Sequence, residues 1–173
     1  MTFRPALVVV CGLPGVGKTT VGRHLAEAVD ADLVRTDVVR KDLFPEPEYT
    51  QTEERSVYDA LLDRAADRLD RRENVVLDGT FYRQPYRDRA AAVADDVDAT
   101  FRLVYVTCRE EVVRDRIADR DGDESDATFE IHQQYRDQFH PVEREHVRVD
   151  NDGPVAELRR QVRSVLPTPE SAD

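Results

Sequence analysis

Residues 12–19 read Gly-Leu-Pro-Gly-Val-Gly-Lys-Thr, which fits the spacing G-x-x-x-x-G-K-[ST]. These residue types at this spacing suit one task, the holding of a polyphosphate and its metal ion. Gly12, Gly15 and Gly17 permit positive φ and leave no side chain between backbone N–H groups and phosphate. Leu13, Pro14 and Val16 complete the turn. A helix starting at Lys18 adds unpaired N–H groups and the positive end of its dipole. Lys18 is expected on the β- and γ-phosphates as a mobile charge, and the Thr19 hydroxyl on Mg²⁺. Thr20 is a further candidate for phosphate contact. The competing interpretation is a glycine-rich turn with a surface lysine, and the flanking residues argue against it. Residues 6–11 form an apolar, β-branched run suited to a strand buried on both faces. Val21, Leu25 and Ala28 then recur at helical spacing.

Other candidate residues follow later apolar runs. Asp37 is placed either to take the proton of a hydroxyl nucleophile or to cap a helix. Arg40, three residues on, lies on the same helical face and is a candidate ligand for an anionic acceptor group. Asp78 ends the run Val-Val-Leu-Asp, where a second acidic residue would hold Mg²⁺, often through water. The alternative is a turn aspartate before Gly79. Thr80, Tyr82, Arg83 and Arg87 come next as candidate acceptor-pocket residues. Arg116 and Arg120 stand one helical turn apart beside the acidic stretch 121–126. They read either as lid arginines that reach transferring phosphates or as a solvated helix face. The four histidines show no metal spacing and read as surface or structural residues.

To bring these residues together, the chain must alternate strands and helices. Strands are expected at 6–11, 32–35, 75–78, 100–106 and 146–149. Helices are expected at 18–29, 36–43, 50–72, 85–97, 110–120, 128–139 and 155–166. Thr36 or Asp37 caps the second helix, and Thr50 with Glu53 forms a capping box on the third. Pro85 suits the first turn of the fourth. This alternation predicts an α/β fold with three layers, α/β/α, around a five-stranded parallel sheet. In such sheets ligands sit beyond the carboxyl ends of the strands. That rule selects the glycine-rich loop, Asp37, Asp78, Cys108-Arg109 and Asn151-Asp152-Gly153. A single domain over 1–166 is expected, with a small arginine-bearing lid near 116–128 and a disordered tail at 167–173.

The chain has 173 residues, 40% hydrophobic and 35% charged, with a net charge of −11. That length suits one domain. The charge argues against extended nucleic-acid binding or adhesion to anionic membranes, though a local basic pocket remains compatible with it. It fits either a high-salt habitat or a GC-rich coding bias, and unfolding in low and in molar salt separates the two. No apolar run reaches membrane-span length. The first residues run straight into a strand, so no signal peptide is expected. Cys11 and Cys108 lack metal or CxxC spacing and are expected as free thiols in a reducing cytoplasm.

The segments Gly12–Thr20, Arg35-Thr36-Asp37-Val38-Val39-Arg40, Val76-Leu77-Asp78-Gly79-Thr80 and Arg116 with Arg120 resemble the P-loop kinases of the AAA-type predicted-kinase family. That family includes the kinase domain of polynucleotide kinase and is related more distantly to zeta toxins and chloramphenicol phosphotransferase. The resemblance spans about residues 6–166 and implies the P-loop NTPase fold. It implies Asp37 as general base, Arg40 as acceptor-phosphate ligand, and Arg116 or Arg120 as the lid arginine. It also implies adenine held beside Asn151 and Gly153. The activity so implied is transfer of the γ-phosphate of ATP, with Mg²⁺, to a hydroxyl of a small-molecule or nucleotide/oligonucleotide acceptor. The alternatives are an ATPase or switch module without an acceptor, and a zeta-toxin-like nucleotide-sugar kinase. No N-K-x-D segment is present, which counts against a GTPase.

Overall fold

A computed structural model describes residues 3–119 and 129–165. Five strands, β1 (Ala6–Cys11), β2 (Ala31–Arg35), β3 (Asn74–Asp78), β4 (Thr100–Thr107) and β5 (Val147–Asp150), form one sheet in the order β2-β3-β1-β4-β5. Every pairing is parallel. Val8 stands opposite Val76 on one side and Arg102 on the other. The central strand β1 is therefore buried on both faces, as its unbroken apolar run requires.

Side chains on β1 alternate between two cores, as the period of two dictates. Leu7, Val9 and Cys11 pack with Val57, Leu61, Ala65 and Leu69 of α3 (Gln51–Asp70) and with Ala90 and Ala94 of α4 (Gln84–Asp96). Val8 and Val10 pack on the opposite face with Val21 and Leu25 of α1 (Lys18–Val29), Val113 of α5 (Glu110–Ala118), and Leu158 and Val162 of α7 (Val155–Val165). The result is the expected three-layer α/β/α sandwich. Burial pushes the Cys11 thiol up to about 12, so it behaves as an inert apolar residue. Both cysteines are free thiols.

Local departures from expectation have physical causes. α2 (Thr36–Leu43) starts after Arg35, so neither Thr36 nor Asp37 is its cap. On α3 the Thr50 hydroxyl accepts from the Glu53 amide at 3.1 Å, half of the expected capping box. The Glu53 carboxylate takes the amides of Glu48 and Tyr49 and the Arg40 guanidinium instead of closing the box. Arg120 and the acidic stretch 121–126 lie outside the described residues, as does the tail 167–173. No helix among the described residues is long and apolar enough to cross a membrane.

Asn74 joins three elements. Its amide group donates to Val29 O at 2.7 Å, and its side-chain oxygen accepts from the Ala6 amide at 2.9 Å. This locks the end of α1 and the start of β1 to β3. Replacing Asn74 by Ala leaves both backbone groups without that partner, and should cost about 1–3 kcal/mol in urea unfolding. A loss below about 0.5 kcal/mol would show that water replaces it.

Candidate functional site

The glycine-rich loop leaves the carboxyl end of β1, between β3 and β4. Gly17 precedes α1 with φ 92°, a left-handed conformation that favours glycine. A Cβ at Gly17 would lie 2.2 Å from Asn151 Nδ2, so close packing also excludes a side chain there. The loop's carbonyls are drawn to donors around it. His132 Nδ1 is 2.7 Å from Pro14 O, Asn151 Nδ2 donates to Val16 O at 2.9 Å, and Lys18 Nζ donates to Leu13 O at 2.8 Å. Gly12 donates to Thr80 O at 3.2 Å, and Gly79 to Val10 O at 3.2 Å, which ties the loop to the end of β3. Among the described residues, no acceptor takes the amide protons of Gly15, Val16 or Gly17. A row of open donors at a helix N-terminus attracts phosphate.

Asp78 is 4% exposed and accepts from the Thr19 hydroxyl at 2.6 Å. Arg35 Nε stands 3.4 Å from the same carboxylate oxygen. Burial raises the Asp78 carboxyl above its ordinary range, against the pull of Lys18, Thr19 and Arg35; Asp37 nearby adds to the rise. Thr19 and Asp78 thus put two hard oxygen donors at one point, with a carboxylate that a further cation would hold ionised. Among the described residues no cluster of three or more His, Cys, Asp or Glu could hold a metal. The donor set therefore fits an ion that takes the rest of its shell from phosphate and water.

A cleft of about 640 Å³ opens beside Lys18, Thr19 and Thr20. Its walls come from α2, the first turn of α3, the end of β3 and α6 (Phe129–Gln138). Asp37, Arg40, Asp78, Thr80, Tyr82 and Arg83 all line it. Asp37 is half exposed, and its ion-pair partner among the described residues is Arg35 Nη2 at 3.8 Å. The carboxylate is therefore available to the cleft and not spent on a cap.

Arg87, Arg116 and Gly153 do not line this cleft. Arg87 does not reach the cleft: it is 2% exposed, and its guanidinium donates to the carbonyls of Tyr82, His140 and Pro141 at 2.7–3.3 Å. It straps the segment after α6 to the start of α4. Arg116 donates through Nη2 to Asn151 O at 2.9 Å, with Nη1 3.5 Å from Cys108 Sγ. It thus stands behind the loop, on the Asn151 side. Gly153 sits in an exposed turn against Glu157, outside the cleft. Arg35, Glu54, Tyr135 and His132 are site residues that sequence reasoning missed. Arg35 ends β2 two residues before Asp37, so the strand-end rule reaches it. Nothing in the local pattern marks the other three, which come from the faces of α3 and α6.

A parallel 2-3-1-4-5 sheet with this loop on its central strand is the fold of the P-loop kinases. The chain belongs to the AAA_33 family, described as an AAA domain, whose model matches residues 7–142. Uncharacterized proteins of Mycobacterium tuberculosis and Mycobacterium bovis are 34% identical over 137 residues, 72% of this chain and 28% of theirs. The chain therefore spans less than a third of those relatives. A gluconokinase from Sinorhizobium meliloti superposes with a TM-score of 0.71 at 26% identity, over 94% of this chain and 91% of that one. The APS kinase CysC of Mycobacterium tuberculosis, solved with AMPPNP and APS, shares the fold. Its TM-score is 0.72 at 16% identity, over 95% of this chain and 98% of that one.

The placement of Arg87 predicts a structural phenotype. Replacing it by Met should cost about 2–4 kcal/mol in urea unfolding, because three carbonyls lose a charged donor. The folded fraction should keep its nucleotide affinity. Unchanged stability with weakened acceptor binding would return Arg87 to the acceptor site.

Proposed function

We propose that this chain transfers the γ-phosphoryl group of ATP to an alcohol hydroxyl of a small acceptor. The observation that carries this is the pairing of two features in one cleft: open amides beside Lys18, and a carboxylate, Asp37, across from them. The amides of Gly15 to Gly17 would bind the phosphates, and Lys18 would leave Leu13 O for the β- and γ-oxygens. Thr19 and Asp78 would hold Mg²⁺, which supplies charge neutralisation on the transferring phosphoryl group when bound. Asp37 would accept the proton of the acceptor hydroxyl. The new bond joins that oxygen to the γ-phosphorus, the bond from the γ-phosphorus to the β–γ bridging oxygen breaks, and ADP leaves with the electron pair. Arg35, within 4 Å of both Asp78 and Asp37, would keep the two carboxylates apart in charge and fixed in place. Asn151, His132 and Arg116 support this by holding the loop and its neighbouring turn. Arg120 is proposed as the lid arginine on the transferring group, with Arg116 on the nucleotide side.

Lys18→Ala should abolish nucleotide turnover. Asp37→Ala should retain ATP affinity and lose transfer by about 10²- to 10⁴-fold, the usual worth of a positioned base. Radiolabelled ATP with an acceptor panel measures both. Transfer by Asp37→Ala at the parent rate would remove Asp37 as the base. Release of free phosphate with every acceptor would replace transfer by simple ATP hydrolysis.

A further inference from the structure

Resting on that phosphotransferase assignment, we infer that the acceptor is an uncharged, polyhydroxylated small molecule, and that Glu54 is the residue that recognises it. The inner wall of the cleft is already charge-paired. Arg40 Nη1 lies 2.6 Å from Glu53 Oε1, and its guanidinium sits 4.9 Å from the centre of the Tyr49 ring. The Glu53 carboxyl is held below its ordinary range: burial pushes it up, but the Glu48 amide, Arg40 and the Tyr49 amide outweigh burial. Arg83 Nε donates to the Tyr82 hydroxyl at 3.0 Å and is 3.9 Å from Glu54 Oε2. Arg35 faces Asp78 and Asp37. Three guanidinium groups thus meet four carboxylates. A phosphate on the acceptor would have to share each guanidinium with the carboxylate already on it and sit beside that carboxylate, which like-charge repulsion opposes. Arg23 and Lys41 also border the cleft, but both are exposed at its rim, where solvent and salt weaken them.

Glu54 itself has the form of a hydroxyl receptor. It is 8% exposed and yet lines the cleft. The hydroxyls of Tyr82 and Tyr86 both donate to its Oε2, each at 3.1 Å. Burial, opposed by Arg83 and helped by Glu54, pushes the Tyr82 hydroxyl up to about 12, so it stays a donor at neutral pH. Tyr86 is fixed in turn by stacking on Tyr58, with ring centres 3.9 Å apart. Both tyrosines therefore aim one carboxylate oxygen, and Oε1 takes no hydrogen bond from the described residues. A carboxylate oxygen so placed accepts O–H groups strongly. The wall next to it is neutral and suited to a sugar-like ring: Tyr135, set edge-on to Tyr82 at 5.0 Å, with Gln134, Gln138 and Thr80. One acceptor hydroxyl would meet Asp37 for phosphorylation, and another would donate to Glu54 and set the register.

The test is a transfer assay with the whole chain, Mg-ATP and four acceptor sets: neutral sugars and polyols, nucleosides, amino sugars, and anionic acceptors (sugar phosphates and 5′-hydroxyl oligonucleotides). Transfer to a neutral sugar, polyol or nucleoside, at least tenfold more efficient in kcat/KM than to any charged acceptor, is the expected result. With that acceptor, Glu54→Gln should raise the acceptor KM tenfold or more and leave the ATP KM within twofold. Preference for anionic or amino-sugar acceptors, or an unchanged acceptor KM in folded Glu54→Gln, would overturn the inference while leaving phosphoryl transfer intact. If Glu54→Gln does not fold, the acceptor preference of the unaltered chain decides. ATP consumed with no acceptor labelled in any set would overturn phosphoryl transfer and the inference with it.

Discussion

The site depends on one constraint. The backbone of residues 12–17 must be held so that the carbonyls of Leu13, Pro14 and Val16 meet protein donors while the amides of Gly15 to Gly17 stay open. Three side chains take carbonyls of this loop: His132 from α6, Asn151 from the turn after β5, and Lys18 from the loop's own end. Gly17 allows the left-handed turn and leaves room for Asn151. The unpaired amides are costly in isolation and become useful when an anion arrives. Elements from both halves of the chain thus converge on six residues, which explains why the sheet places them at the end of its central strand.

Charge pairing governs the rest of the cleft. The chain is acidic overall, and the arginines of the cleft's inner wall are each matched by a carboxylate. Arg35, Arg40 and Arg83 make the cleft look basic in sequence, whereas in the fold they are partners of Asp78, Glu53 and Glu54. In the proposed function two of these carboxylates would also meet ligand: Asp78 with Thr19 on the phosphate side, and Glu54 with its tyrosines on the acceptor side. Asp37 lies between them, half exposed and free of a capping duty.

Much of this was legible from residue order. The apolar run before the loop and the helical spacing after it located β1 and α1 at their observed limits. Strand ends located Asp37 and Asp78, because parallel sheets put ligands there. The failures share a cause. Arg87 and Arg83 lie four residues apart at the start of α4, and local sequence does not tell which of them turns into the protein. Burial against the segment 139–141, fifty residues later, decides it. Glu54 and Tyr135 come from helix faces that meet only in the folded chain. His132 looked like an ordinary structural histidine. It is one, but its carbonyl partner belongs to the phosphate loop.

The central claim is that open amides beside Lys18, together with Thr19 and Asp78, bind a magnesium nucleotide. Titration calorimetry of the purified chain with Mg-ATP tests it most directly. The account predicts saturable binding with one site and a Kd of about 1 mM or tighter, roughly −4 kcal/mol or better. It also predicts weaker binding when magnesium is chelated. A flat titration at millimolar Mg-ATP, with no accompanying rise in melting temperature, would contradict it.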